Sequence, residues 1–252
     1  MAPKKVRHWR CSKVYIDESW IEIQSVEYLI VGALFAPPGE GIESKLEALR
    51  QAIQCVDTMH SSQLKGAKQL ELAHSFVAAF RDSKCKFRSL IIPKTREKYK
   101  TYFNGEKWRM EVHAIKLVLS HCYLSNSETI KLIRPKLLIE RSSSYGKNFP
   151  LLEREISATL ILNANYSDSA LFKAEPAPIV TLVDKRVMES LQLTDLLVAL
   201  VKWDLVGPKS DKLKYFNQSK TSLGLSKPAF TTNWQTADKF NVWRHSDCSL
   251  VK

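Results

Sequence analysis

Residues 14–19 read Val14-Tyr15-Ile16-Asp17-Glu18-Ser19, and residues 28–35 read Tyr28-Leu29-Ile30-Val31-Gly32-Ala33-Leu34-Phe35. The first stretch is rich in β-formers and predicts a strand over residues 13–17. A polar stretch, residues 18–26, follows it. The second stretch is a continuous apolar run, the pattern of a buried strand. So short a connection predicts an antiparallel hairpin. Pro37-Pro38-Gly39 ends it, because proline has no amide to give a ladder. Asp17 needs a reason for its position, since a buried carboxylate is expensive unless paired or bound to a metal.

Outward from the hairpin, the spacing of apolar residues predicts two helices. Residues 44–59 carry Leu46, Leu49, Ile53 and Val56, and residues 70–81 carry Leu72, Ala73, Phe76, Val77 and Phe80. Residues 86–92 predict a third strand, stopped by Pro93. Residues 107–124 place Trp108, Val112, Ile115, Leu119 and Cys122 on one helical face. A short apolar strand at 136–140, a helix at 151–162 and a fifth strand at 179–183 follow. A long Leu-rich helix over 185–203 must be mostly buried. Strands alternating with helices predict an α/β fold, with layers around a mixed sheet. The expectation is one domain over residues 1–252, with five strands and a helical insertion at 44–82 between strands 2 and 3. Residues 208–252 are expected to be a basic segment packed on the core. Its Lys209, Lys212, Lys214, Lys220 and Lys227 line either a polyanion path or a solvated loop.

Three acids close apolar strands: Asp17, Glu140 after Leu137-Leu138-Ile139, and Asp184 after residues 179–183. A fourth, Asp195, lies inside Leu191-Gln192-Leu193-Thr194-Asp195-Leu196-Leu197. Ligand sites in open α/β sheets gather beyond the C-terminal strand ends. Parallel neighbours would bring Asp17 and Glu140 together, where like charges oppose joint ionisation. A divalent cation removes that conflict, and hard oxygen ligands select Mg²⁺ or Mn²⁺ over zinc. Two such ions can polarise a phosphodiester, activate water and stabilise the leaving oxygen. Bland alternatives stand beside each acid. Asp184 can cap the helix that follows it, and Glu18 can point to the other face of its strand.

Glu189, Gln192 and Asp195 fall at i, i+3 and i+6, a narrow polar stripe that Lys202 loosely continues. Such a stripe on an apolar helix faces either water or a site. In a site, Asp195 would bind metal and Gln192 would orient it or a phosphate. Arg141-Ser142-Ser143-Ser144 follows Glu140 directly, and its donors suit a phosphate backbone as well as an ordinary loop; Arg141, Ser142 and Lys202 are the expected nucleic-acid contacts. His60 and His113 are either general bases or structural histidines.

Residues 14–19, with the apolar run that follows, resemble the opening of the DUF3800 proteins, a strand reading YIDESG before an apolar second strand. Residues 191–197 are similar to that family's LQxADL helix motif, and Lys239-Phe240-Asn241-Val242-Trp243 resembles the closing segment of some members. The resemblance implies a ribonuclease H-like fold running three strands, helix, strand, helix, strand, helix. It implies metal-dependent nuclease activity, with Asp17, Glu140 and Asp195 as catalytic, metal-holding acids. It adds a glutamate from the first core helix, for which Glu111 is the candidate and Glu106 a weaker one. Trp20 stands where the family has Gly, Thr194 where it has Ala, and Glu140 where relatives often have Asp. The family's mobile-element and defence settings also imply an alternative, a non-catalytic nucleic-acid-binding or interaction protein.

The formal charge of +12, from 38 basic and 26 acidic residues, points to a polyanionic partner, DNA or RNA. Cys11, Cys55, Cys85, Cys122 and Cys248 are scattered and form no CxxC pair. That pattern predicts reduced thiols and a cytoplasmic location rather than a zinc knuckle. Residues 1–13 lack the apolar core of a signal peptide. No apolar run reaches the roughly 18 residues that a membrane span requires. Trp234, Phe240 and Trp243 either dock on a partner or complete the protein's own core.

Overall fold

The fold is seen in a computed structural model that describes residues 7–120, 123–125, 128–141, 143–166, 179–225 and 239–244. Strand β1 (Arg7–Ile23) turns directly into β2 (Val26–Ala36). Gln24 and Ser25 form the turn with φ of 50° and 64°. Two successive positive φ values suit the right-handed twist of a two-residue hairpin. The polar stretch expected at 18–26 is therefore mostly strand. Ile21 and Ile23 alternate with Trp20 and Glu22, and the isoleucines pack into the core. The usual Asn-Gly cue for such a turn is absent, which hid the strand's true length.

After β2 come α1 (Ile42–Ile53), α2 (Gly66–Asp82), β3 (Lys86–Pro93), α3 (Arg96–Phe103) and α4 (Lys107–Ser120). Then follow β4 (Tyr123–Ser125), β5 (Glu128–Glu140), α5 (Ser143–Tyr166), β6 (Ile179–Val183), α6 (Glu189–Val206), α7 (Leu213–Ser222) and β7 (Phe240–Arg244). Helix α1 stops earlier than residue 59, because Gln54 turns left-handed and returns its amide to Arg50 and Gln51. Val56, expected on the helix's apolar face, is exposed. Helix α4 stops before residue 124, and Leu124 belongs to β4. Cys122 and Cys248 lie outside the described residues, whereas Cys11, Cys55 and Cys85 are buried free thiols.

The sheet runs in the order β4-β5-β1-β2-β3-β7, and β6 also pairs with β5. Strand β4 pairs with the start of β5 and β6 with its end, so the two share one edge and the sheet is six strands wide. Five strands were expected. The additions are β4 and β7, both short edge strands with little period-two signal. β1 is antiparallel to β2 and β2 to β3, whereas β5 is parallel to β1, β6 to β5 and β7 to β3. The β1–β5 ladder shifts register between Cys11 and Lys13, opposite a stretch containing Pro135. A proline has no amide for the ladder and is accommodated at such an irregularity.

Side-chain alternation divides β2 between two cores. Tyr28, Ile30 and Leu34 pack with residues of α1, α2, α6 and α7 on one face. Leu29, Val31, Ala33 and Phe35 pack with α4 and α5 on the other. Both faces are covered, so β2 reads as a continuous apolar run. Helix α6 is buried from Ser190 to Val201. It lies close over β2 because Gly32 has no side chain: a Cβ there would sit 2.8 Å from the Phe87 ring and collide with Val198. Among the described residues, no helix is long and apolar enough to cross a membrane.

Candidate active site

Asp17 and Glu140 follow Ile16 and Ile139, which are paired in parallel strands. Tyr15 and Leu138 point into the α6-side core, whereas Ile16 and Ile139 point away from it. Period two therefore turns Asp17 and Glu140 toward α6. There they meet Asp195, three residues before Val198 on the same helix. The three acids expected to act together do converge, on a group the sequence reading did not include. The Lys185 ammonium lies 3.1 Å from Asp17 Oδ2, 2.6 Å from Glu140 Oε2 and 3.3 Å from Asp195 Oδ1.

Lys185 was expected to open the long helix. Instead residues Lys185–Val187 form a 3-10 turn, and α6 begins at Glu189. Asp184 caps that turn by accepting from the Arg186 amide at 2.9 Å. The turn lets the Lys185 side chain run inward, 5% exposed. Gln192 Nε2 donates to the Lys185 carbonyl at 3.1 Å and so fixes the backbone from which the ammonium reaches.

One ammonium faces three carboxylates, so full ionisation leaves an excess of negative charge. Burial, with the neighbouring Glu140 and Asp195 carboxyls, holds Asp17 well above the usual carboxylate range despite the opposing pull of Lys185. Burial works against the Lys185 charge, but Asp17, Asp195 and Glu140 outweigh it and keep the ammonium protonated. Asp17 is nearly inaccessible, at 1% exposed, whereas the Glu140 side chain is 26% exposed and forms the open rim.

The loop between α1 and α2 supplies the other side of Asp195. The Ser61 amide donates to Asp195 Oδ2 at 2.5 Å, and Ser61 Oγ lies 3.2 Å from Oδ1. His60 Nδ1 is 4.0 Å from Asp195 Oδ2, and Ser62 Oγ is 2.8 Å from the same nitrogen. Buried Lys212 donates to the Ser61 and Ser62 carbonyls at 2.9 and 2.8 Å. Arg50 of α1 ties this loop to α6. It pairs with Glu189 and donates to Gln192 Oε1 at 2.6 Å, to the Cys55 carbonyl at 2.9 Å and to the Asp57 carbonyl at 2.6 Å. Gln192 Oε1 also accepts from the Met59 amide at 2.7 Å. Glu43 receives the Glu189 and Ser190 amides at 2.7 and 2.9 Å, meeting the open N-terminus of α6 with a carboxylate.

The polar stripe on α6 therefore faces neither water nor the acid cluster alone. Asp195 joins the cluster, Gln192 holds Lys185 and the loop, and Glu189 is taken by Arg50. Asp184 stays outside the cluster. It pairs with Arg186, and those hydrogen bonds lower its carboxyl to about 2. Glu18 lies on the opposite face of β1, where burial and the Glu111 charge push its carboxyl up to about 8. Glu111 sits beside it, accepts from Trp20 Nε1 at 2.8 Å, and is also raised by burial. Glu106 pairs with Arg109 at the surface. His113 packs on the Phe103 ring, 5.5 Å between centroids.

Of the expected phosphate contacts, Arg141 is exposed, and its amide extends the β5–β6 ladder to the Val183 carbonyl at 2.9 Å. Lys202 is half-buried, 3.5 Å from Ser19 Oγ. Ser142, Lys227 and Trp234 lie outside the described residues. Lys212 and Lys220 are not open to a polyanion: the first is buried and the second pairs with Asp204 at 2.6 Å. Phe240 and Trp243 pack into the protein's own core.

A hard cation fits the donor set, because three carboxylates from β1, β5 and α6 already surround one positive point. Lys185 stands at that point, and no group of three or more His, Cys, Asp or Glu among the described residues is arranged to hold a metal ion. No family model, curated protein or solved structure matches this chain.

Proposed function

We propose that the chain is a metal-dependent nuclease with a ribonuclease H-like fold, related to the DUF3800 proteins, that hydrolyses phosphodiester bonds of DNA or RNA. The observation that carries the reading is the convergence of Asp17, Glu140 and Asp195 on one cationic point with a single ammonium to balance them. Support for the fold comes from the strand order β6-β5-β1-β2-β3, in which the first three strands in sequence are antiparallel and the next two partners parallel. Support for the substrate class comes from the charge of +12.

Asp17, Glu140 and Asp195 would hold Mg²⁺ or Mn²⁺. A bound divalent ion supplies Lewis acidity and lowers the pKa of its water. The acids suffice for one ion, and a second would share the same carboxylates. The Ser61 amide and hydroxyl fix the Asp195 carboxylate, and Arg50 and Lys212 fix the loop that carries Ser61. The buried floor at Asp17 keeps bulk water out, and the Glu140 rim is where a strand would approach. Arg141 and Lys202 would meet its phosphates.

A second reading keeps the fold and the nucleic acid but not the chemistry. Lys185 already neutralises part of the acid cluster, so the cluster would then be a structural ion-pair network. Incubating labelled DNA and RNA with the protein, with and without Mn²⁺, tests the choice. The nuclease reading expects Mn²⁺-dependent cleavage that Asp17→Asn and Asp195→Asn each reduce by about 10²-fold or more while leaving the circular dichroism spectrum unchanged. Cleavage at normal rates by both variants would sink it, and salt-sensitive binding without any product favours the second reading.

A further inference from the structure

We infer that Lys185 is a tethered counter-cation that occupies the divalent-ion position and leaves it when the ion binds. The inference rests on the proposed metal site and concerns what controls its filling. The ammonium is within 3.3 Å of an oxygen from each of the three carboxylates. A divalent ion held by the same oxygens at about 2.1 Å would fall close to that nitrogen, and two cations repel strongly at so short a distance. Only one can be present.

Backbone and side chain of Lys185 are held differently. The carbonyl is pinned by Gln192, and the turn is capped by Asp184. Among the described residues the ammonium is held by the three acids, at the end of a flexible four-carbon stem. The turn that carries it is at the surface: Val187 is 75% exposed, and so is the Arg186 side chain. The Glu140 side chain is the most exposed of the three acids around the ammonium and marks the side on which the cation position lies nearest to solvent. Lys185 can therefore exchange the carboxylates for water without any movement of β1, β5 or α6. It stabilises the metal-free acids and weakens metal uptake by the same contacts.

Isothermal titration of the metal-stripped full chain with Mn²⁺ tests this. Lys185→Met is expected to bind Mn²⁺ at least about tenfold more tightly than wild type and to gain more in melting temperature from it. Binding by the variant with none by wild type would mean that Lys185 never yields the position, and it overturns the inference. Equal or weaker binding by a folded Lys185→Met, or no binding by either protein, overturns the inference. If the variant does not fold, acylation of Lys185 in the wild-type protein, read by mass spectrometry, decides. Labelling that rises several-fold with Mn²⁺ supports exchange, and unchanged labelling overturns it. Competition without cleavage of nucleic acid leaves the inference standing and removes the nuclease reading. Cleavage with unaltered affinity in the variant removes the inference alone.

Discussion

At the scale of single residues, β1 divides its acids between two environments. Asp17 turns toward Lys185, and Glu18 turns toward Glu111 on the far face. In the second pair burial outweighs the opposing pull of Lys185 on Glu18 and of Lys107 on Glu111. Burial holds Glu111 above its ordinary pKa, so the folded chain keeps a proton there that the unfolded chain has already released. Above about pH 4.3 the unfolded state therefore binds fewer protons, and stability falls as pH rises toward the folded pKa. Glu111→Gln keeps an oxygen for Trp20 and removes the titration. Its stability relative to wild type should improve as pH rises through the range in which the unfolded glutamate has ionised and the folded one has not, read by equilibrium denaturation. A difference that does not change with pH would contradict this assignment. The residues also show how far a sequence reaches. Asp17, Glu140 and Asp195 were legible because acids in apolar elements are conspicuous. Lys185 was not, since a lysine at a helix start reads as a surface charge. Ser61 was beyond reach, because its amide matters more than its side chain.

At the scale of elements, the link between α1 and α6 sets the site. The long helix was legible from its Leu-rich faces, but its first turn was not. The break at Met188 depends on Asp184 capping a separate 3-10 turn and on Glu43 arriving from α1. Helix α1 was overextended for a related reason. Val56 continues its apolar spacing, yet the chain leaves the helix there to carry Ser61 to Asp195. Arg50 is the joint, half-buried between Glu189, Gln192 and the loop carbonyls. Arg50→Met leaves Glu189 without its partner and frees residues 55–61. The expected cost is ~3 kcal/mol in urea denaturation, because removing one member of a largely buried pair strands the other. Faster proteolysis within 55–61 should accompany it. A loss below ~1 kcal/mol would show that the loop is held by Lys212 and Gln192 without Arg50.

Over the whole molecule, the α/β class with a mixed sheet followed from alternating helix and strand patterns, and the antiparallel β1–β2 pairing from the short connection between them. The width of the sheet did not, because β4 and β7 gain their strand character from the neighbours they pair with. Charge is the other molecular property. A chain at +12 that contacts a nucleic acid through its phosphates should bind with an affinity that falls linearly in log–log form with salt. Asp17→Asn should leave that slope unchanged, because Asp17 is buried away from the rim. Fluorescence anisotropy with labelled DNA and RNA at several salt concentrations measures it. Salt-independent binding would remove nucleic acid as the partner.

The most direct measurement is anomalous scattering from a crystal soaked in Mn²⁺. The account predicts a manganese peak about 2.1 Å from carboxylate oxygens of Asp17, Glu140 and Asp195, with the Lys185 ammonium withdrawn from all three. A peak elsewhere, or no peak with Lys185 still among the acids, would contradict it.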